Sequence, residues 1–199
     1  MKIFFVRHGE SEANLLREFS NRGDQYPLTE LGRQQANVLA RDLGGVPFHR
    51  IFTSPLLRAR ETAQILTERL DVPIEITDAL REGDVGILEG RDDLAAWAIF
   101  GQVHNAWRAG DWDIRIKGGE SLNDLKSRFM PFINTLTVDD SNFILVGHGS
   151  LYRFILPELL VNVDAEWAAP YPIGNADYIL AELCPQGLTC ISWCGVTPP

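Results

Sequence analysis

Residues 2–10 read Lys2-Ile3-Phe4-Phe5-Val6-Arg7-His8-Gly9-Glu10. Four consecutive apolar residues, two aromatic and two β-branched, make a short buried strand. Arg7-His8-Gly9 ends it and opens a loop. The same construction returns at Asn142-Phe143-Ile144-Leu145-Val146-Gly147-His148-Gly149, an apolar strand that runs into Gly-His-Gly.

Outward from these two stretches, strands alternate with helices. Thr29 caps a helix whose buried stripe is Ala36, Leu39, Ala40 and Leu43, and Gly44-Gly45 stops it. Residues 50–53 form a second strand. Ser54-Pro55 follows, read as an N-cap and a first-turn proline, before a helix that buries Ala59, Ala63, Leu66 and Leu70. A third extended piece covers 72–76, and 83–90 is a glycine-punctuated loop. A helix spans 120–136, which Pro131 is expected to kink or split. Another helix runs from Gly149 to about Pro157, and 176–183 with 188–194 form a closing hairpin. Residues 91–117 have a looser texture, with Trp97 at helical spacing and Trp107 and Trp112 in a polar stretch. The alternation predicts a three-layer α/β/α sandwich with a largely parallel central sheet. The expected organisation is one domain over 1–199 with a cap or insertion at about 91–117.

Composition narrows the function. The chain has 199 residues, 45% hydrophobic and 23% charged, with a formal charge of −9. Such a length buries about 70% of its unfolded surface without staples. A net acidic chain lacks the basic field that nucleic acid or anionic membrane requires, so neither partner is expected. No apolar run reaches the roughly 18 residues of a membrane span, nor is there a secretory leader, so a cytoplasmic protein is expected. Cys184, Cys190 and Cys194 are odd in number and loosely spaced, and read as reduced, buried thiols.

In a parallel sheet, ligands sit outside the carboxyl ends of the strands. The first strand ends in Arg7-His8, the second in Ser54-Pro55 with Arg58 one step into the next helix, and the fourth in His148-Gly149. Two histidines and two arginines thus converge beside helix N-termini. That cluster suits a phosphoryl group, because guanidinium forks match phosphate oxygens and helix N-termini attract anions. Gly9 and Gly149, lacking a Cβ, are expected to let the backbone approach a ligand. His49 and His104 lack this context and read as ordinary polar residues.

The motifs resemble those of the histidine phosphatase superfamily, which includes cofactor-dependent phosphoglycerate mutases. The carrying residues are Phe5-Val6-Arg7-His8-Gly9-Glu10-Ser11 with Asn14, Pro27-Leu28-Thr29-Glu30, Ser54-Pro55-Leu56-Leu57-Arg58, Leu80-Arg81-Glu82, Gly118-Gly119-Glu120-Ser121 and Val146-Gly147-His148-Gly149. The resemblance implies His8 as a nucleophile that accepts phosphate. It implies Arg7, Arg58 and His148 as holders of the phosphoryl oxygens, with Ser11, Asn14 and the Gly149 backbone assisting, and Glu82 as proton donor to the leaving oxygen. No metal and no cofactor are implied, and the partner is a small phosphorylated substrate. Mutases of the superfamily carry a His-Tyr pair after the acid, where this chain has Gly83-Asp84-Val85; Gly147 also replaces a residue that often bears a hydroxyl. The expected activity is therefore phosphomonoester hydrolysis through a phosphohistidine. The alternatives are a mutase-type phosphotransferase and a non-catalytic phosphate-binding module. Leaving-group specificity is expected in Arg17–Tyr26 and among Trp97, Phe100, Trp107 and Trp112, with Trp97 and Phe100 the pair better placed in the core.

Overall fold

The computed structural model of the chain describes residues 1–136 and 141–199. Its sheet contains β1 (Lys2–Arg7), β2 (Arg50–Thr53), β3 (Ile74–Ile76), β4 (Phe143–Gly147), β5 (Tyr178–Cys184) and β6 (Gly187–Trp193), in the order β3-β2-β4-β1-β5-β6. The pairs β3·β2, β2·β4 and β4·β1 are parallel; β1·β5 and β5·β6 are antiparallel. The expected parallel core and C-terminal hairpin are both present.

The strands show why a continuous apolar run was needed. Successive side chains of a strand point to opposite faces. Ile3, Phe5, Phe143 and Leu145 enter one core, while Phe4, Val6, Ile144 and Val146 enter the other. The second core is closed by α2 (Glu30–Asp42) and α3 (Leu57–Leu70), through Leu39, Ala40, Ala59, Ala63 and Leu66. The first is closed by α4 (Leu94–Arg108), α5 (Leu122–Leu136), α6 (Gly149–Leu159) and α7 (Ala165–Ala168). A short α1 (Glu12–Leu16) follows the first strand and was not anticipated from the sequence. The layers are those of the predicted sandwich.

Two local expectations need correction. α5 contains Pro131 yet is one uninterrupted helix. Leu125, Phe129, Ile133 and Leu136 are all buried along it, and that packed stripe outweighs the single hydrogen bond proline removes. Ser54 does not cap α3: the helix begins at Leu57 with Leu56 as its N-cap, and the serine hydroxyl is engaged elsewhere. Of the cysteines, Cys190 is buried and Cys184 and Cys194 are half-buried, all three as free thiols. Among the described residues, no helix is long and apolar enough to cross a membrane.

Candidate active site

β1, β4 and β2 lie side by side and run the same way, so their carboxyl ends share one edge. In register, Arg7 stands beside Gly147, and Thr53 beside Val146. The next residue of each strand is thereby delivered to one place: His8, His148 and Ser54. Backbone bonds hold the register there, with the His8 N–H donating to the Gly147 carbonyl (3.1 Å) and the Ser54 N–H to that of Val146 (2.9 Å).

His8 is 3% exposed. Arg58 Nε–H donates to its Nε2 at 3.2 Å, and Nδ1 lies 2.6 Å from the Gly9 carbonyl. Guanidinium has no lone pair to offer, so Nε2 must be the accepting nitrogen and Nδ1 carries the hydrogen. Burial, reinforced by Arg58 and Arg7, holds the His8 pKa well below its ordinary 6.5. His8 is thus a neutral imidazole with its Nε2 lone pair directed at a cation.

His148 lies alongside, with ring centroids 5.2 Å apart. It is buried and likewise kept neutral, first by burial and then by the Arg58 and Arg7 cations. Its Nε2 is 2.8 Å from Ser54 Oγ, an oxygen that also accepts the Leu56 N–H at 3.3 Å without being the N-cap of α3. Arg7 Nη1 donates to the Ile173 carbonyl at 2.7 Å, and Arg58 Nη1 to that of Ser20 at 2.8 Å. Burial lowers the Arg58 pKa to about 10, which leaves it cationic at neutral pH, and moves Arg7 in the same direction. Among the described residues, two buried side-chain polar atoms have no hydrogen-bond partner: Arg7 Nε and His148 Nδ1. An unmet buried polar group costs about 1–3 kcal/mol. Arg7 lines the cleft with His8, whereas His148 is not among the residues that line it and meets the site through its packing on the His8 ring.

Glu82 is buried at the N-terminus of α6. Its carboxylate accepts the N–H groups of Ser150 (3.0 Å), Leu151 (2.9 Å) and Gly83 (2.9 Å). With Arg7, His8, Asn14, Arg58 and Gly149 it lines a cleft of about 300 Å³. A Cβ on Gly149 would lie 3.2 Å from Arg7 Nε, so glycine leaves that guanidinium its space. Asn14 Oδ1 accepts from the Ser11 N–H (3.1 Å) and from Asn175 Nδ2 (3.2 Å), leaving the Asn14 amide nitrogen to donate.

Two expected contacts take another form. Ser11 is fully buried behind Asn14 as the N-cap of α1 and does not line the cleft. Gly9 does not line it either. A Cβ there would come within 2.5 Å of the Gly32 carbonyl oxygen, so Gly9 is small in order to seat α2.

The outer wall is aromatic, built from Phe19, Trp97, Phe100, His104 and Phe154. Phe19 packs against Trp97 with centroids 4.3 Å apart, and His104 against Phe100 at 3.8 Å with the rings tilted by 56°. Of the four aromatics expected to set specificity, Trp97 and Phe100 line the cleft, and Trp107 and Trp112 do not. Trp97 and Phe100 face the cleft half-buried, whereas Trp107 is packed beneath them in the core. His104, read as unremarkable, is part of the wall, and burial pushes its pKa down to about 3. Ser54, Ser20, Ile173 and Asn175 support the site and went unassigned in the sequence. Of these, Ser54 carried a signal in its place at a strand end, and Ser20 falls within the 17–26 stretch expected to set specificity.

A profile of the histidine phosphatase superfamily (branch 1) matches residues 3–195. A 2,3-bisphosphoglycerate-dependent phosphoglycerate mutase of Methylobacterium radiotolerans is 36% identical over 165 residues, covering 77% of this chain and 76% of its own. An adenosylcobalamin/alpha-ribazole phosphatase of Salmonella typhimurium is 34% identical, with 80% of each chain covered. Among solved structures, a mycobacterial glucosyl-3-phosphoglycerate phosphatase in complex with VO3 superposes with a TM-score of 0.83 at 28% identity, covering 96% of this chain and 98% of the other.

Proposed function

Because the chain belongs to the histidine phosphatase superfamily (branch 1), we propose that it is a phosphatase that hydrolyses a small phosphomonoester through a phosphohistidine on His8. The observation that carries this reading is the set of unmet polar atoms around a neutral nucleophile. His8 Nε2 has a free-base lone pair, and Arg7 Nε and His148 Nδ1 lie buried beside it without partners.

The chemistry follows from those atoms. His8 Nε2 attacks phosphorus as the bond to the alcohol oxygen breaks, and Glu82, which enters this step as the neutral acid with a proton taken up on substrate binding, passes that proton to the alcohol oxygen. Arg7 and Arg58 hold the non-bridging oxygens while charge spreads over them. An oxygen at His148 Nδ1 selects the tautomer with hydrogen on Nδ1, in which the Ser54 hydroxyl donates to Nε2. Water then attacks phosphorus as the phosphorus–nitrogen bond breaks, with the Glu82 carboxylate taking the water's proton. Phosphate leaves and the His8 lone pair is restored. The guanidinium groups supply the positive charge that other phosphatases take from metal ions.

A transferase reading has one specific support, the mutase relatives at 36% identity. Against it stands the replacement of the mutase His-Tyr pair by Gly83-Asp84-Val85, of which Asp84 is tied to Arg22 in an ion pair (2.8 Å). The deciding experiment is a brief reaction with labelled substrate. The enzyme should yield an acid-labile, alkali-stable phosphoenzyme, and His8→Ala none. Incubation with 3-phosphoglycerate and a bisphosphate primer should release phosphate faster than it forms 2-phosphoglycerate. Full activity in His8→Ala overturns the nucleophile; faster isomerisation overturns hydrolysis.

A further inference from the structure

The cleft holds a third arginine. Arg153 lies on α6 four residues after Gly149, hence on the same helical face and about 6 Å further along the axis. Eight arginines among the described residues form ion pairs, and Arg153 is not one of them. Its one hydrogen bond runs from Nη2 to the Ala169 carbonyl, at 3.2 Å. The cleft's own acids are committed elsewhere. Glu82 is held by the α6 amides, and Glu18 accepts the Tyr26 hydroxyl at 2.5 Å. Around Arg153, His104 is uncharged, Arg108 is a like charge, and Glu158, which shares a second pocket with Arg153, is paired with Lys126 at 2.9 Å. A half-buried guanidinium with unused donors thus stands one helical turn outside the phosphate site. The aromatic wall of Phe100, His104 and Phe154 lies at the same mouth.

We infer that Arg153 receives a second anionic group carried by the leaving alcohol. The preferred substrates are then phosphomonoesters whose alcohol has its own carboxylate or phosphate about one helical turn from the ester phosphorus, joined by an apolar or planar segment that rests on the aromatic wall. This rests on the phosphatase reading above. It assigns the substrate class through the part of the site that phosphoryl transfer itself does not use. Arg153 acts on binding of the leaving group and takes no part in bond breaking.

The test compares three aryl esters: 4-carboxyphenyl phosphate, its neutral carboxamide analogue 4-carbamoylphenyl phosphate, and the bisphosphate of hydroquinone. Phosphate release is followed for the enzyme, Arg153→Met and Arg153→Lys. The enzyme should favour one or both anionic esters over the carboxamide, and the favoured one says whether carboxylate or phosphate suits the site. In Arg153→Met that ratio of kcat/KM should fall about tenfold, as expected for losing one charge-assisted contact at a half-exposed site, chiefly through KM. Arg153→Lys should restore part of it. Should the methionine variant fail to fold, the salt dependence of the same ratio in the unaltered enzyme decides, since the preference must fall as salt screens the pair. A ratio unchanged by Arg153→Met, or indifferent to salt, overturns the inference while leaving the phosphatase intact. Failure to release phosphate from any of the three, together with no phosphoenzyme at His8, overturns the underlying reading instead.

Discussion

At the scale of single residues, the site depends on which nitrogen or oxygen is left without a partner. His8 offers Nε2 because Gly9 takes Nδ1, and His148 offers Nδ1 because Ser54 takes Nε2. Ser54→Ala should therefore leave a buried imidazole nitrogen unmet and the tautomer unset. We expect kcat/KM to fall about tenfold, the worth of one positioned hydrogen bond, with the phosphoenzyme still forming. An unchanged rate would remove Ser54 from the positioning role. Glu82→Gln keeps the oxygen that accepts from Gly83 and Leu151, turns an NH2 toward the Ser150 N–H, and has no acid proton to give. Positioned acid catalysis is worth about 10²–10⁴ in rate. Single-turnover release of an alkyl alcohol should slow by that order, and release of nitrophenol, which leaves readily as an anion, much less. Equal slowing of both would assign the proton to another group.

Among the elements, glycine positions decide how closely strands and helices approach. Gly147 ends β4 where a Cβ would come within 2.5 Å of the Tyr152 hydroxyl. That hydroxyl is fully buried and donates to the Leu145 carbonyl at 2.7 Å, so α6 pins its own incoming strand. The space a larger residue would need at 147 is filled from Tyr152 instead. Gly147→Ala should overpack this contact and cost about 1–3 kcal/mol. A shift of the urea midpoint reads this, and Tyr152→Leu in the same chain should recover part of it. A Gly147→Ala protein as stable as the parent would show that the helix yields easily. α4 gives the other lesson: its period of apolar residues marks a helix, but the stripe is divided between the core (Val103, Trp107) and the cleft (Trp97, Phe100).

The molecule as a whole carries three buried neutral histidines, His8, His104 and His148. In each, burial holds the folded pKa below the ordinary 6.5, and for His104 it reaches about 3. The unfolded chain then binds protons that the folded chain refuses, so stability is whole above about pH 6.5 and is lost as pH falls below it. Each fully linked proton costs about 1.4 kcal/mol per pH unit, or about 4 kcal/mol for three. Urea midpoints between pH 7.5 and 5 in phosphate-free buffer should drop accordingly, and His104→Leu should remove about one proton from the slope. A flat profile over that range would mean the imidazoles charge in the fold. Catalysis should also persist in excess chelator, since the charge at the phosphoryl site comes from Arg7 and Arg58. A loss restored by magnesium or zinc would reverse that view.

The sequence by itself determined the sandwich and the centre of the site. A strand buried on both faces must be continuously apolar, and its polar end must mark the sheet edge, so the runs ending in Arg7-His8 and Gly147-His148 were legible without coordinates. The roles proposed for Arg58, Glu82 and Asn14 come from the order of motifs the chain shares with its superfamily. Only the tertiary structure decided where Ser54 points, why Gly9 is small, that Pro131 leaves its helix whole, and which aromatics face the cleft. Each of those depends on a partner far along the chain: His148 for Ser54, Gly32 for Gly9, the first core for α5, and Phe19 for Trp97. Local patterning records how often a side chain is buried, but not against what. Arg153 falls on the same side of that line, because an arginine's missing carboxylate is visible only once every neighbour is in place.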